Sequence, residues 1–386
     1  MSPGSIPIMQ SPAGPHTVID GRRYLYFVGT GYLGLQGHPE LIRAACDAAR
    51  QYGIGSANSR TAFGNLPPTL DVERQAAECF GFDEAFYFAS GYVGNHILAL
   101  HLEDRYDAVF VDEFSHYCVM EASRLTGRPV WKFRHADPED LAAALRRHLK
   151  PGQRPWIASD GVFAARGDMA PLADYANVLA DYSGAVMCID DAHGLGVLGT
   201  GGRGTLEHTG LLADDGLVLA NLEPDGADRP RRLFCGTLSK AFGGYGGIIP
   251  GTRGFIERLK STSPYYRGAS APPAPAAAAT ARALQIVRTR PEMRARLWKN
   301  VGTVKAGLCR LGLETNDTPV PIVCLQIGDA ENMQRIQREL MQQGIVIAYM
   351  AAYAGLGPEG ALRIAVFATH TEEMIQQLLD TLQKLV

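Results

Sequence analysis

The stretch LFCGTLSKAFGGYGG, residues 233–247, opens as a buried strand, Leu233-Phe234-Cys235, and gives way to glycines and hydroxyls around one lysine, Lys240. A lysine at the mouth of a parallel sheet, flanked by small residues and shielded from water, loses part of its preference for the charged form. It then becomes nucleophilic toward carbonyls, which suits a Schiff base. The plain alternative is a surface lysine on a loop.

Working outward, short apolar runs rich in Val, Ile, Phe and Tyr alternate with longer helical segments, the pattern of an α/β protein with a mostly parallel sheet. The expected strands are EAFYFA, DAVFVD, PWIAS, AVMCID, LVLAN and LFCGT. Ser90-Gly91, Asp112 to His116, Ser159-Asp160, Asp190 to His193 and Thr237 to Lys240 each follow the C-terminal end of a strand. Ligands of open α/β sheets sit outside those ends, so polar groups far apart in sequence converge there.

After SAPPAPAAAATARAL the character changes. A long helix, the run PVPIVCLQIG, a helix with Met333, Ile336, Leu340 and Met341 on one face stopped by Gly344, the strands IVIAYM and ALRIAVF, and a last amphipathic helix form a smaller α+β domain. The expected division is an N-terminal segment 1–45, a large domain 46–284 and a small C-terminal domain 285–386. EPDGADRPRR reads as an exposed loop.

At 46% hydrophobic and 20% charged residues, the chain has ordinary globular composition, and a net charge of -3 offers no attraction to nucleic acid or an anionic membrane. The seven cysteines are scattered, without a CxxC pair, and read as reduced residues of a cytoplasmic protein with no metal site. The opening MSPGSIPIMQSPAGPH lacks the basic-then-apolar order of a secretion signal, and no run is apolar enough to span a bilayer. A small-molecule site is the expectation.

In AVMCIDDAHGLGVLG a hydrophobic strand delivers Asp190, followed by His193 and a glycine-rich turn. Pyridoxal phosphate needs a carboxylate against its ring nitrogen, and Asp190 fits; alternation along the strand sends Asp191 to the other side. A helix N-cap is the competing role for Asp190. FASGYVGNH runs through Ser90 and Gly91 into a helix beginning near Tyr92, a turn whose free amides suit a phosphate, and Thr237 adds a hydroxyl.

GTLSKAFGGYGG, IDDAHGLGVLGTGGRG, FASGYVGN, DEFSHYCVMEASRLTG, GIGSANSR and LRIAVFATHTEE resemble, in the same order, motifs of the α-oxoamine synthases. The similarity runs from about Tyr24 to the C-terminus. It implies a fold-type-I pyridoxal 5'-phosphate transferase, a homodimer with shared active sites. Carried over, Lys240 holds the cofactor, Asp190 faces its ring nitrogen, His193 lies near its phenolic oxygen, His116 stacks on its ring, and Arg363 grips the substrate carboxylate. For His116, His193 and Arg363 the competing roles are a hydrogen-bonded loop histidine, a helix-terminus histidine and a solvent-facing arginine paired with an acid. The implied reaction is a Claisen-type condensation of an amino acid with an acyl thioester, with acyl-CoA the expected donor; transamination, retro-aldol cleavage and a catalytically silent partner subunit are the alternatives.

The chain departs from the family pattern around the substrate. SNDYLGL becomes GTGYLGL, placing Thr30 where a substrate-facing asparagine is usual; Ala164 replaces a serine; Gly268-Ala269 replace a Ser-Thr pair; and PTVP becomes AAYAGLGPEG. Loss of one hydroxyl at a tuned site changes energetics by about 1 kcal/mol, enough to alter selectivity while leaving cofactor binding intact.

Overall fold

A computed structural model describes residues 6–212 and 231–386. The run LVLAN and most of EPDGADRPRR lie outside them. The chain forms two compact units: one comprises Glu40–Phe163 and Met169–Thr289, the other the described residues through Pro39, Ala164–Asp168 and Arg290–Val386.

Among the described residues, the larger unit carries a seven-stranded sheet. Its spatial order is Glu84–Phe88, Gly247–Gly251, Arg231–Thr237, Val186–Asp190, Pro155–Asp160, Ala108–Asp112, Val130–Phe133. Every pairing is parallel except the two made by Gly247–Gly251. The central strands are buried along their whole length, which is why they read as unbroken apolar runs. Gly247–Gly251 was hidden in the sequence by Pro250. That proline is tolerated because the strand pairs with Arg231–Thr237 only at Ile248 and Gly247.

Alternation along these strands divides the core. Val109, Val111, Trp156, Ala158, Val186, Cys188, Leu233 and Cys235 share a hydrophobic cluster with Leu98, Val119 and Phe255, which come from the helices Gly94–His101, Tyr117–Ala122 and Arg253–Thr262. Continuing that period by two residues puts Asp160 and Asp190 on the same face as those helices, at the carboxyl ends of their strands.

The smaller unit holds two three-stranded sheets. A hairpin of His16–Ile19 and Arg22–Tyr26 turns at Asp20-Gly21, both at positive φ (48° and 76°) as a tight two-residue turn requires. Ile345–Val346 joins this hairpin in parallel. The second sheet places Ala361–Ala365 between Ile322–Leu325 and Ala348–Met350, all antiparallel. IVIAYM, expected as one strand, is thus divided between two sheets at Ile347. The helix Ala330–Gln342, capped by Asp329, buries Met333, Ile336 and Leu340, and Met341 is half-buried against the cluster of Ile19, Tyr24, Tyr26, Ala365 and Phe367. Ile375, Leu378, Leu379 and Leu382 are the buried stripe of the last helix, Glu372–Gln383.

Candidate active site

The turn after the Glu84–Phe88 strand is built for close approach. Ser90 is extended, its hydroxyl accepts the Tyr92 N–H at 3.3 Å, and a single 3-10 turn, Gly91–Val93, leads into the helix Gly94–His101. A Cβ on Gly91 would lie 2.7 Å from Thr237 Cβ and 2.9 Å from its Oγ1. Only glycine lets this turn meet the end of the Arg231–Thr237 strand. Thr237 Oγ1 donates to Gly246 O at 3.0 Å and lies 2.8 Å from Ser239 Oγ, so two hydroxyls sit together beside the turn.

Lys240 follows in the loop, its Nζ 2.9 Å from His193 Nε2. Asp190 Oδ2 accepts from Asn95 Nδ2 at 2.8 Å and from Cys118 Sγ at 3.3 Å, and Oδ1 accepts the Ala192 N–H at 3.1 Å. Asp191 leaves the site: its Oδ2 accepts the Thr205 N–H at 2.8 Å, and burial pushes its carboxyl up to about 7. Strand alternation accounts for this divergence of adjacent residues.

His116 caps the helix Tyr117–Ala122. Its Nδ1 accepts the Cys118 N–H at 3.3 Å, and its own N–H donates to Asp160 Oδ2 at 2.8 Å. Burial lowers the affinity of the His116 ring for a second proton; the Asp190 charge works against that trend, and the Lys240 charge reinforces it. Burial first, and then the Asp190 charge, push the Asp160 carboxyl well above the usual range. Tyr92 rims the site with its ring 6.1 Å from that of His116, edge to face.

Ser90, Gly91, Tyr92, His116, Asp190, His193, Thr237 and Lys240, the eight residues expected around the cofactor, all line one cavity of about 300 Å³. Cys118, Asp160, Ser239 and Tyr245 line it too, and Asn95 stands behind Asp190. Sequence reasoning missed Asn95 and Cys118, which occupy helices and carry no local signal. The sequence marks Asp160 only as a strand end.

Arg363 and Thr30 belong to the smaller unit. Arg363 is the central residue of the central strand, opposite Cys324 on one side and Ala348 on the other. It is 7% exposed, which sets aside a solvent-facing role. Its Nε donates to Ala164 O at 3.0 Å, Nη1 to Gly29 O at 3.2 Å, and Nη2 lies 3.5 Å from the Tyr32 hydroxyl. These described partners are all neutral oxygens, so the guanidinium retains its charge for an anion. Thr30 is half-buried beside Gly29.

The residues present fit pyridoxal 5'-phosphate. A carboxylate suits the ring nitrogen, an amine the aldehyde, and the glycine-lined turn, which any Cβ would fill, the phosphate. The sequence matches the family described as aminotransferase class I and II over residues 30–382. It is 34% identical to the 8-amino-7-oxononanoate synthase of Pseudomonas putida, covering 97% of this chain and 92% of that one. With the enzyme of the same name from Methylococcus capsulatus the identity is 35%, with coverage again 97% and 92%. Among solved structures, serine palmitoyltransferase from S. paucimobilis, with bound PLP, superposes with a TM-score of 0.88 at 25% identity, covering 98% of this chain and 92% of that one. The chain therefore belongs to the aminotransferase class I and II family and, within it, to the α-oxoamine synthases, with the fold-type-I architecture. It is a pyridoxal-phosphate-dependent acyltransferase that condenses an amino acid with an acyl thioester.

Proposed function

We propose that Lys240 is the residue that bonds to the cofactor and then moves the substrate's α-proton, with Asp190 on the ring nitrogen. The observation carrying this reading is that the two side chains line the same cavity, Lys240 Nζ lying 2.9 Å from His193 Nε2. When bound, pyridoxal 5'-phosphate supplies an electron sink for the carbanion at the amino acid's α-carbon.

The chain's own groups do the rest. Ser90, Gly91, Tyr92 and Thr237 hold the phosphate by backbone amides and hydroxyls. His116 covers the ring, and its neutrality, favoured by burial, avoids placing a cation there. His193 serves the phenolic oxygen and hydrogen-bonds the Lys240 amine. The Lys240 amine can hold and return a proton at the substrate's α-carbon, as a general base must. Arg363 takes the substrate carboxylate in its planar fork, with Thr30 facing the substrate beside it.

The acyl donor is an acyl-CoA, and the working unit is a homodimer in the cytoplasm. Supporting the dimer are the exposed rings of Tyr92, Tyr117 and Tyr245 at 40%, 56% and 42%. Supporting the compartment are seven cysteines of which none forms a disulfide and, among the described residues, no helix long and apolar enough to cross a membrane.

Borohydride reduction of the holoenzyme followed by peptide mass mapping tests the lysine: the label belongs on Lys240, and its absence there refutes the reading. Incubation with amino acids and acyl-CoAs, following free thiol, tests the donor. Sedimentation tests the dimer.

A further inference from the structure

Three elements converge on a single carboxylate oxygen. Asp190 ends a central strand, Asn95 lies in the first turn of the helix Gly94–His101, and Cys118 in the first turn of the helix Tyr117–Ala122. Asp190 Oδ2 receives the Asn95 amide at 2.8 Å and the Cys118 thiol at 3.3 Å. Asn95 and Cys118 are 1% and 3% exposed, so water does not compete for those bonds.

The proton inventory favours donation to Asp190. Cys118 Sγ also lies 3.0 Å from His116 Nδ1, but that nitrogen already accepts the Cys118 N–H. The thiol has one proton, and the carboxylate, being charged, is the stronger acceptor. Burial, followed by the Asp190 and Asp160 charges, pushes the thiol up, so it keeps that proton and remains a donor. Among the described residues, Asn95 Oδ1 is buried without a hydrogen-bond partner. The fold accepts that cost in order to aim the amide N–H at Asp190.

We propose that Asn95 and Cys118 are positioning residues for the reaction, acting through Asp190. Their two donors on Oδ2 set the plane of the carboxylate and favour its anion, leaving its other lone pairs for the cofactor's ring nitrogen. This inference rests on the role proposed above for Asp190. Removing either donor makes the carboxylate more basic, so the shared proton shifts from the ring nitrogen toward Asp190.

The test compares wild type with Cys118→Ala, Cys118→Ser and Asn95→Ala, all as reconstituted holoenzymes. Two quantities are read: the dissociation constant for pyridoxal 5'-phosphate, and the pH midpoint of the bound cofactor's absorption. Cys118→Ala is expected to bind about three- to tenfold more weakly, and its midpoint is expected to move. Cys118→Ser, which keeps a donor, returns both to near wild type. Asn95→Ala, losing the shorter bond, shows the larger effect and serves if Cys118→Ala does not fold. A weakened Cys118→Ala with an unmoved midpoint and no rescue by serine means simple packing and overturns the inference, as does an unchanged Cys118→Ala. Wild type that fails to bind the cofactor overturns the functional reading as well, which separates the two failures.

Discussion

Replacing Gly91 by alanine probes the phosphate cradle with one methyl group. Its φ is not in the left-handed region, so the effect is steric and local. The new Cβ would lie 2.7 Å from Thr237 Cβ, whereas carbon atoms at rest sit about 3.5–4.0 Å apart. The turn must therefore retreat from the Arg231–Thr237 strand by roughly 1 Å. A hydrogen bond stretched that far passes about 3.5 Å and ceases to be one. One bond to a charged group contributes about 1.5–3 kcal/mol, so losing a single amide–phosphate bond weakens cofactor binding about 10- to 150-fold. The assay is titration of the apoprotein with pyridoxal 5'-phosphate, followed by absorbance, with melting temperature recorded in parallel. Gly302→Ala is the control. It lies within the helix Glu292–Arg310 with nothing within 4 Å of the added Cβ, and should leave affinity unchanged while stabilising the chain by about 1 kcal/mol. Gly91→Ala binding within twofold of wild type would refute the reasoning, because the turn would then have room the geometry denies it.

Glu73 accepts from Arg60 Nη1 and Tyr87 N at 3.0 Å and from Lys260 Nζ at 2.8 Å; Glu73→Ala leaves the buried Arg60 without its carboxylate and should cost about 3–5 kcal/mol. At about 2.1 cal/mol/K per residue over 386 residues, that lowers the melting temperature by about 4–6 °C, measurable by calorimetry. His370 is held neutral, Nδ1 accepting the Phe367 N–H at 3.0 Å and Nε2 donating to Tyr26 O at 3.1 Å, and burial lowers its pKa to about 4. The unfolded imidazole binds a proton below about 6.5 and the folded one does not, so stability falls with acidity, by roughly 2 kcal/mol at pH 5; denaturant melts of wild type and His370→Asn at pH 5 and 7 should differ in slope. Asp191 gives the opposite slope: with its folded pKa raised to about 7, its contribution is present near pH 4 and lost as pH rises through 7. Asp191→Asn, which can still accept the Thr205 N–H, should lose that dependence in the same melts.

The strands and their functional ends were legible because burial on both faces leaves a continuous apolar run, and because each run stops in residues that carry chemistry. Lys240, Asp190, His193 and the Ser90-Gly91 turn stood out for that reason. Asn95 and Cys118 did not, since an amide and a thiol in the first turn of a helix look like ordinary surface or core residues until the opposing strand is in place. The run 345–350 read as one strand because apolar content does not say which partner each residue pairs with, and here Ile345–Val346 and Ala348–Met350 find different sheets.

Local patterning therefore specified which residue types reach the strand ends, since period and burial are properties of the chain alone. Tertiary packing decided which atoms meet. Residues 95, 118, 160 and 190 come together only because alternation on adjacent parallel strands and the faces of two crossover helices put them on one side of one sheet, and a hydrogen bond of 2.8 Å cannot be read from a separation of 95 residues.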